Sequence, residues 1–280
     1  MIPAVALLIV FFLGPIIWAV YTSLTDQTLS GATATHAQFI GIKNFRELFG
    51  VGTSGIRAVL NTAIFTAACV LIQNALGLTI ALLMRRRNRY VRGTIGAIVV
   101  SCWIVPEIVA GFVWYSFLQP PVPGVGGGGT VSVVLHFFGL TQNWLTTIPV
   151  LTVILANGWR GTAFSMLVYG AAVGDIPPEQ LESASVDGAN GLARLRYVIL
   201  PTLRKIIATN TLLITLQTLG VFTLIFTITG GEQGATLPIL MWQQFNIGQI
   251  GYPNAIAVVL LIVGGFFATF YLIVLRPDAD

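Results

Sequence analysis

Apolar stretches recur along nearly the whole chain, and each is close to the length of about 20 residues that a helix needs to cross about 30 Å of hydrocarbon. Six such runs are legible, over about 2–23, 58–84, 93–118, 147–173, 206–229 and 254–275. Of the 280 residues 55% are hydrophobic and 9% charged, against roughly 25% charged in an ordinary soluble domain, so most of the surface must face something other than water. The membrane lipid is that partner. No stretch remains for a soluble domain, and the chain reads as an all-α polytopic membrane protein with six transmembrane helices in a single domain over 1–280. The first run has neither a charged segment before it nor a small-residue cleavage site, which predicts a retained span rather than a signal peptide. It begins abruptly, which leaves open a cytoplasmic segment ahead of it. Pro15 falls inside it, where neighbouring helices can satisfy the freed backbone groups.

Counting basic residues decides the orientation, because Lys and Arg are retained on the cytoplasmic face. One side carries Arg85, Arg86, Arg87, Arg89, Arg92, Arg194, Arg196, Arg204, Lys205 and Arg276; the other carries Lys43, Arg46 and Arg57. This predicts both termini and the loop 174–205 in the cytoplasm. The formal charge of +4 is thus a topology signal, and nucleic acid is excluded as a partner. The run from Arg85 to Arg92 reads as a topology determinant rather than a specific lipid site. Cys69 and Cys102 fall inside apolar runs and form no disulfide framework or metal-ligand spacing. His36 and His136 stand far apart and read as ordinary loop or interface residues. Gly124 to Gly129 formally satisfies G-x-G-x-x-G, but without a βαβ context it reads as a flexible loop on the outer side. No G-x-x-x-x-G-K-[ST] occurs, so the chain holds no ATP by a P-loop and must borrow its energy.

The loop between the fourth and fifth runs, Gly174 to Lys205, is 32 residues of patterned sequence instead of a minimal turn. Pro177 and Pro178 can open a helix, with Glu179 and Glu182 in its first turns where the helix dipole favours them. Asp187 and Gly188 supply a turn. Ala189 to Leu200 reads as a second short helix with Leu192, Leu195 and Ile199 on one face, and Pro201 breaks it before the fifth span. The outcome is a compact pair of helices held against the membrane, able to transmit a push from a cytoplasmic partner.

Two ionisable residues, Glu107 and Arg160, lie inside apolar runs, where even the lenient insertion scale costs about 2.5 to 3.5 kcal/mol each. By helical rise they stand about 10 Å apart in depth, which argues against a direct salt bridge. Arg160 then faces the inner mouth near the loop, and Glu107 a polar cavity or a partner subunit.

The loop resembles the EAA loop of ATP-binding cassette importer permeases. Glu182, Ser183 and Ala184 match its Glu-Ala-Ala, Gly188 its glycine, and Val198, Ile199, Leu200 and Pro201 its Ile-x-Leu-Pro ending, with Ser183 and Val198 as departures. Phe39 to Phe49 followed by Asn61 and Thr62, the Thr229 to Gly231 stretch with Glu232 where Pro is usual, Thr236 to Phe245, and Gly251 to Val258 are similar to the maltose-type carbohydrate uptake permeases. The resemblance implies docking on ATPase subunits through Glu179, Glu182, Ser183, Ala184, Asp187, Gly188, Ala189 and Pro201. It implies a second homologous permease subunit, two ATP-binding cassette ATPases and an extracytoplasmic sugar-binding protein. No cofactor is expected on this chain, and ATP and Mg belong to the partner ATPases. The setting is the cell (inner) membrane of a bacterium or archaeon. Gln73, Asn74, Asn157, Asn210, Gln217 and Thr218, with the aromatic faces of Trp114 and Phe222, either meet a sugar or tie helices together. By analogy with the family, Asn210 to Phe222 is the leading segment for solute contact. A neighbouring reading keeps the architecture and changes the cargo to glycerol phosphate, polyamine or another small polar solute. A more distant one is an ion-coupled secondary transporter working alone.

Overall fold

The computed structural model describes residues 9–85, 87–121, 127–139, 143–231 and 234–274, together with Leu7. Of the positions singled out above, residues 2–6 and 8, Arg86, Gly124 to Gly126, Glu232, Leu275 and Arg276 lie outside them.

Among the described residues the chain is helical, with isolated β-bridges Thr25–Phe39 and Thr28–Gln249 and no named strand. The principal helices are α1 (Ile9–Ser23), α2 (Lys43–Leu48), α3 (Ser54–Arg85), α4 (Arg89–Ile104), α5 (Glu107–Leu118) and α6 (Thr130–Phe137). They continue with α7 (Pro149–Gly174), α8 (Pro178–Val186), α9 (Gly191–Leu219), α10 (Thr223–Thr229), α11 (Leu237–Asn246) and α12 (Gly251–Val274). By length and hydropathy α3, α9 and α12 each suffice to cross a membrane, and α4 with α5 make a fourth span when the bent pair is taken as one.

The central post is α7, packed along α3. Lipid tails are as apolar as leucine, so helices in a bilayer associate through close packing and hydrogen bonds. Small residues permit that approach here. A Cβ on Gly77 would stand 2.8 Å from the backbone carbonyl carbon of Ser165, and one on Gly158 would stand 2.9 Å from Ile72 Cγ2. Three apolar clusters pin the bundle along its length. Phe65, Val153 and Ile225 belong to the first, Leu48, Ala58 and Ile256 to the second, and Val173, Ile176, Ile199 and Leu203 to the third, beneath α8.

The third apolar run is not one straight span. It divides into α4 and α5, which meet at 100°. Val105 is extended (φ −57°, ψ 126°) ahead of Pro106, because proline disfavours the helical region for its predecessor and supplies no N–H. The fifth run also differs. The expected short helix over 189–200 and the following span are one helix, α9, which passes through Pro201 and stops at Leu219, and α10 follows after a short break. Proline is accommodated because the turn Leu195–Ile199 is a π-helix, with Leu200 N–H bonded to Leu195 C=O. The widened turn spares the proline a helical partner it cannot bond. Connections read as plain loops contain helices of their own: α2, α6 and α11. Their apolar faces are too short to register as spans.

Candidate functional site

The segment following α7 is built from its ends inward. Pro178 opens α8 in the first turn, where the missing N–H removes no helical bond, and Glu179 stands beside it. Gly188 closes α8 in the left-handed region (φ +79°). Around it Ala189 N–H donates to Ala184 C=O at 2.9 Å and Gly188 N–H to Ser185 C=O at 3.1 Å, the Schellman pattern. Asn190 then caps α9, its Oδ1 accepting from Ala193 N–H at 2.9 Å. Arg194 Nη1 reaches Ser185 Oγ at 3.0 Å and ties the two helices together.

Ile176, Leu181, Leu195 and Ile199 anchor this segment to the ends of α3, α7 and α9. Arg85 Nη2 donates to Ile176 C=O at 3.2 Å and adds a polar strut. Leu192 does not join Leu195 and Ile199 on the buried face; it is 73% exposed in the first turn of α9. Val186 and Tyr197 are 88% and 72% exposed. Glu179, Ser183, Ala184, Asp187, Tyr197 and Pro201 line a depression of about 600 Å³ between the helices. Of the remaining residues expected at this surface, Glu182 is exposed on α8, and Gly188 and Ala189 form its cap.

Deeper in the bundle, Glu107 and Arg160 do form an ion pair, with Nη1 3.3 Å from Oε1. Helical rise gives a depth only along a straight span, and the third run is bent by 100° between α4 and α5. Arg160 Nε also donates to Val105 C=O at 3.4 Å, so one guanidinium serves a carbonyl freed by the bend and the carboxylate beginning α5.

The polar candidates separate into distinct places. Asn210 is fully buried, donating to Asn74 Oδ1 at 3.0 Å and Ser165 Oγ at 3.1 Å, while Tyr169 OH donates to the same Asn74 oxygen. This network joins α3, α7 and α9. Asn157, Gln73 and Thr218 are also buried, and Gln73 Nε2 donates to Asn157 C=O at 3.3 Å. Gln217 is exposed. Phe222 stacks on Phe226 at 5.4 Å between ring centroids and adjoins Trp242, and together with Gly220 and Asn254 it borders a cavity of about 510 Å³. Trp114 meets Trp159 edge to face at 6.1 Å. Among the described residues, the cavity at Phe222 has none of the other candidates in its lining. We expect Asn210→Ala to lower stability by only about 1 kcal/mol, the usual worth of an interhelical hydrogen bond in a membrane, read as a small shift in thermal unfolding of the purified complex.

The family described as "Binding-protein-dependent transport system inner membrane component" matches residues 73–279. The chain belongs to this family. Among curated relatives, this permease is 27% identical over 292 residues to the trehalose/maltose transport system permease protein MalF of Thermococcus litoralis, covering 100% of the chain and 93% of the relative. It is 31% identical over 254 residues to the trehalose transport system permease protein SugA of Mycobacterium tuberculosis, covering 88% of the chain and 78% of the relative. Its fold matches a chain in the crystal structure of a bacterial alginate ABC transporter in complex with an alginate pentasaccharide-bound periplasmic protein. There the TM-score is 0.75 at 21% identity, over 98% of this chain and 92% of that one.

The permease's other resemblance-bearing motifs have structural work in this fold. Asn44 Nδ2 donates to Ser23 and Thr25 carbonyls at 2.8 and 2.9 Å, closing the C-terminal end of α1. Asn61 Nδ2 donates to Ala235 C=O at 3.1 Å, and Thr62 Oγ1 accepts from Leu237 N–H at 2.8 Å, so the Asn-Thr pair fastens the start of α11. Gly230 and Gly231 follow α10 with positive φ, and Gln243 donates to Gly231 C=O. The sequence alone does not single out Ser165, Tyr169 or Trp159. Ser165 and Tyr169 stand one helical turn apart, a spacing that signals a shared face once α7 is known to be central.

Proposed function

We propose that this chain is one permease subunit of an ATP-driven, binding-protein-dependent sugar importer, forming half of the translocation pathway. The observation that carries the docking part is the rigid, capped α8 with its neighbouring depression, which leaves Val186, Leu192 and Tyr197 exposed at the end of a membrane bundle. Exposed apolar residues beside acidic Glu179, Glu182 and Asp187 suit a groove on another protein. In this reading the six apolar runs are six spans of one domain, with the third and fifth broken, and both termini and α8 lie in the cytoplasm of a bacterium or archaeon.

A second homologous permease completes the pathway, two ATPase subunits bind ATP and Mg, and an extracytoplasmic binding protein delivers the sugar. Closure of the ATPases moves α8 as a rigid body, and its anchors Ile176, Leu195 and Ile199 carry that motion into α7 and α9. Gln217, Phe222 and Trp114 are the sequence candidates left with exposed or half-exposed surface for solute, whereas Asn157, Asn210 and Thr218 are buried in this conformation. Sugar as the cargo class is supported by the names of the relatives MalF and SugA. The pairing of Arg160 with Glu107 also supports a neutral solute over an anionic one, since it cancels the charge of both.

The test is reconstitution of this chain with its partner permease, ATPases and binding protein in proteoliposomes. A sugar on the binding protein is expected to stimulate ATP hydrolysis, and Tyr197→Ala to reduce that stimulation several-fold, on the order of the 1–2 kcal/mol of a truncated interface aromatic. Solute accumulation driven by an ion gradient in liposomes holding this chain alone would discard the proposal.

A further inference from the structure

We propose that the crevice between the arginine-bearing end of α3, the start of α4 and the end of α7 is a binding site for one anionic phospholipid. The crevice encloses about 720 Å³ and opens beside Arg85, Arg89 and Arg92. Among the described residues the ion pair is Arg160–Glu107, so these guanidiniums reach no carboxylate there. Arg85 spends one donor on Ile176 C=O and Arg89 one on Tyr90 OH at 3.1 Å, but a guanidinium has five. A phosphate diester at the mouth supplies the missing acceptors in the geometry arginine favours.

The inner part of the crevice is apolar. Its walls are Val100 on α4 and Met166 and Leu167 on α7. Glycines widen it: a Cβ at Gly93, Gly170 or Gly174 would meet nothing within 4 Å, and one at Gly96 would meet only Met84 Cε at 3.9 Å. These differ from Gly77 and Gly158, which let α3 and α7 touch. Glycine is disfavoured inside a helix when no close contact requires it, and here its effect is to leave a groove. From Arg89 to Val100 the helical rise is about 16 Å, long enough to lay much of an acyl chain along α4. Charge at the mouth and an apolar channel behind it match a headgroup with its acyl chain, and a free phosphate would use only the mouth. The arginine run thus binds a ligand as well as setting orientation. Val173 and Gly174 belong to this wall and lead directly into Ile176 and α8, so the bound lipid would brace the base of the docking segment.

The experiment uses the assembled transporter, purified in detergent and stripped of lipid, with native mass spectrometry after addition of phosphatidylglycerol, phosphatidylcholine or inorganic phosphate. Phosphatidylglycerol is expected to be retained about tenfold more strongly than phosphatidylcholine, and the Arg89→Gln/Arg92→Gln double variant to lose that preference. Arg85, Arg86 and Arg87 remain in that variant to keep the orientation. Gly96→Leu, which fills the groove, is expected to release the lipid, while Gly96→Ala retains it and reports that folding is intact. Equal retention of the two lipids by the wild-type complex would overturn the proposal without any variant. So would displacement of phosphatidylglycerol by phosphate alone, or unchanged retention in the double variant.

Discussion

The Gly188→Trp variant is expected to insert and assemble normally and yet lose solute uptake. Gly188 sits at φ +79°, where an L side chain costs about 1–2 kcal/mol, and its N–H is one of the two donors that close the Schellman end of α8. A Cβ there meets nothing within 4 Å, so the substitution crowds no core and leaves the spans alone. What it changes is the end of a nine-residue helix and the surface beside Val186 and Asp187, on which an indole would project. In proteoliposomes matched for incorporation, uptake should fall at least about tenfold, corresponding to 1.4 kcal/mol or more of lost docking. Gly188→Asn, which tolerates the left-handed region, should keep most of the activity. Wild-type uptake by the Trp variant would remove α8 from the docking surface.

Arg160→Met is the second substitution with a large expected effect, this time on stability. It leaves the Glu107 carboxylate without its cation and Val105 C=O without its donor, at the elbow of a broken span. Breaking a buried pair from one side costs about 3–5 kcal/mol; side-chain exposures of 21% and 34% bring the expected cost below that range, to about 2–3 kcal/mol. Glu107→Gln keeps an acceptor for Arg160 and should cost about 1 kcal/mol. The double variant Arg160→Met/Glu107→Met removes both charges and should recover most of the loss. Thermal unfolding of the purified complex, followed by size exclusion, measures all three. If the single Arg160→Met variant is as stable as the wild type, the pair is not a clamp on the elbow.

The two predictions draw on opposite ends of what could be read from the residues. The turn at Gly188 was legible because glycine after Asp187, behind a helix opened by proline, is a local signal whose meaning does not depend on distant chain. The pairing of Glu107 with Arg160 was not, because helical rise converts to depth only along a straight span. Pro106 was the available clue. Pro15 and Pro201 carry the same residue type without a bend of that size being assigned to them, so proline alone did not say where a span would break. The π-turn Leu195–Ile199 absorbs Pro201, and it depends on Ile199 and Leu203 packing beneath α8, contacts made with residues over a hundred positions earlier in α3.

Solute candidates show the same division. Asn and Gln inside apolar runs are visible to any reader of the chain, but a buried amide that ties helices and one that meets cargo have the same sequence signature. Only the neighbours decide, and Asn210 finds Asn74 and Ser165 while Gln217 stays exposed.

Hydrophobic length alone determined that this is a helical membrane chain, since backbone groups in hydrocarbon must be satisfied within each span. The family motifs and the Gly188 turn were likewise written in local sequence. Tertiary structure alone decided where the spans break, that Glu107 finds Arg160, and that an arginine run borders a groove. Each of those depends on which helices lie side by side, and in lipid that is chosen by small residues and hydrogen bonds between helices, which no single apolar run records.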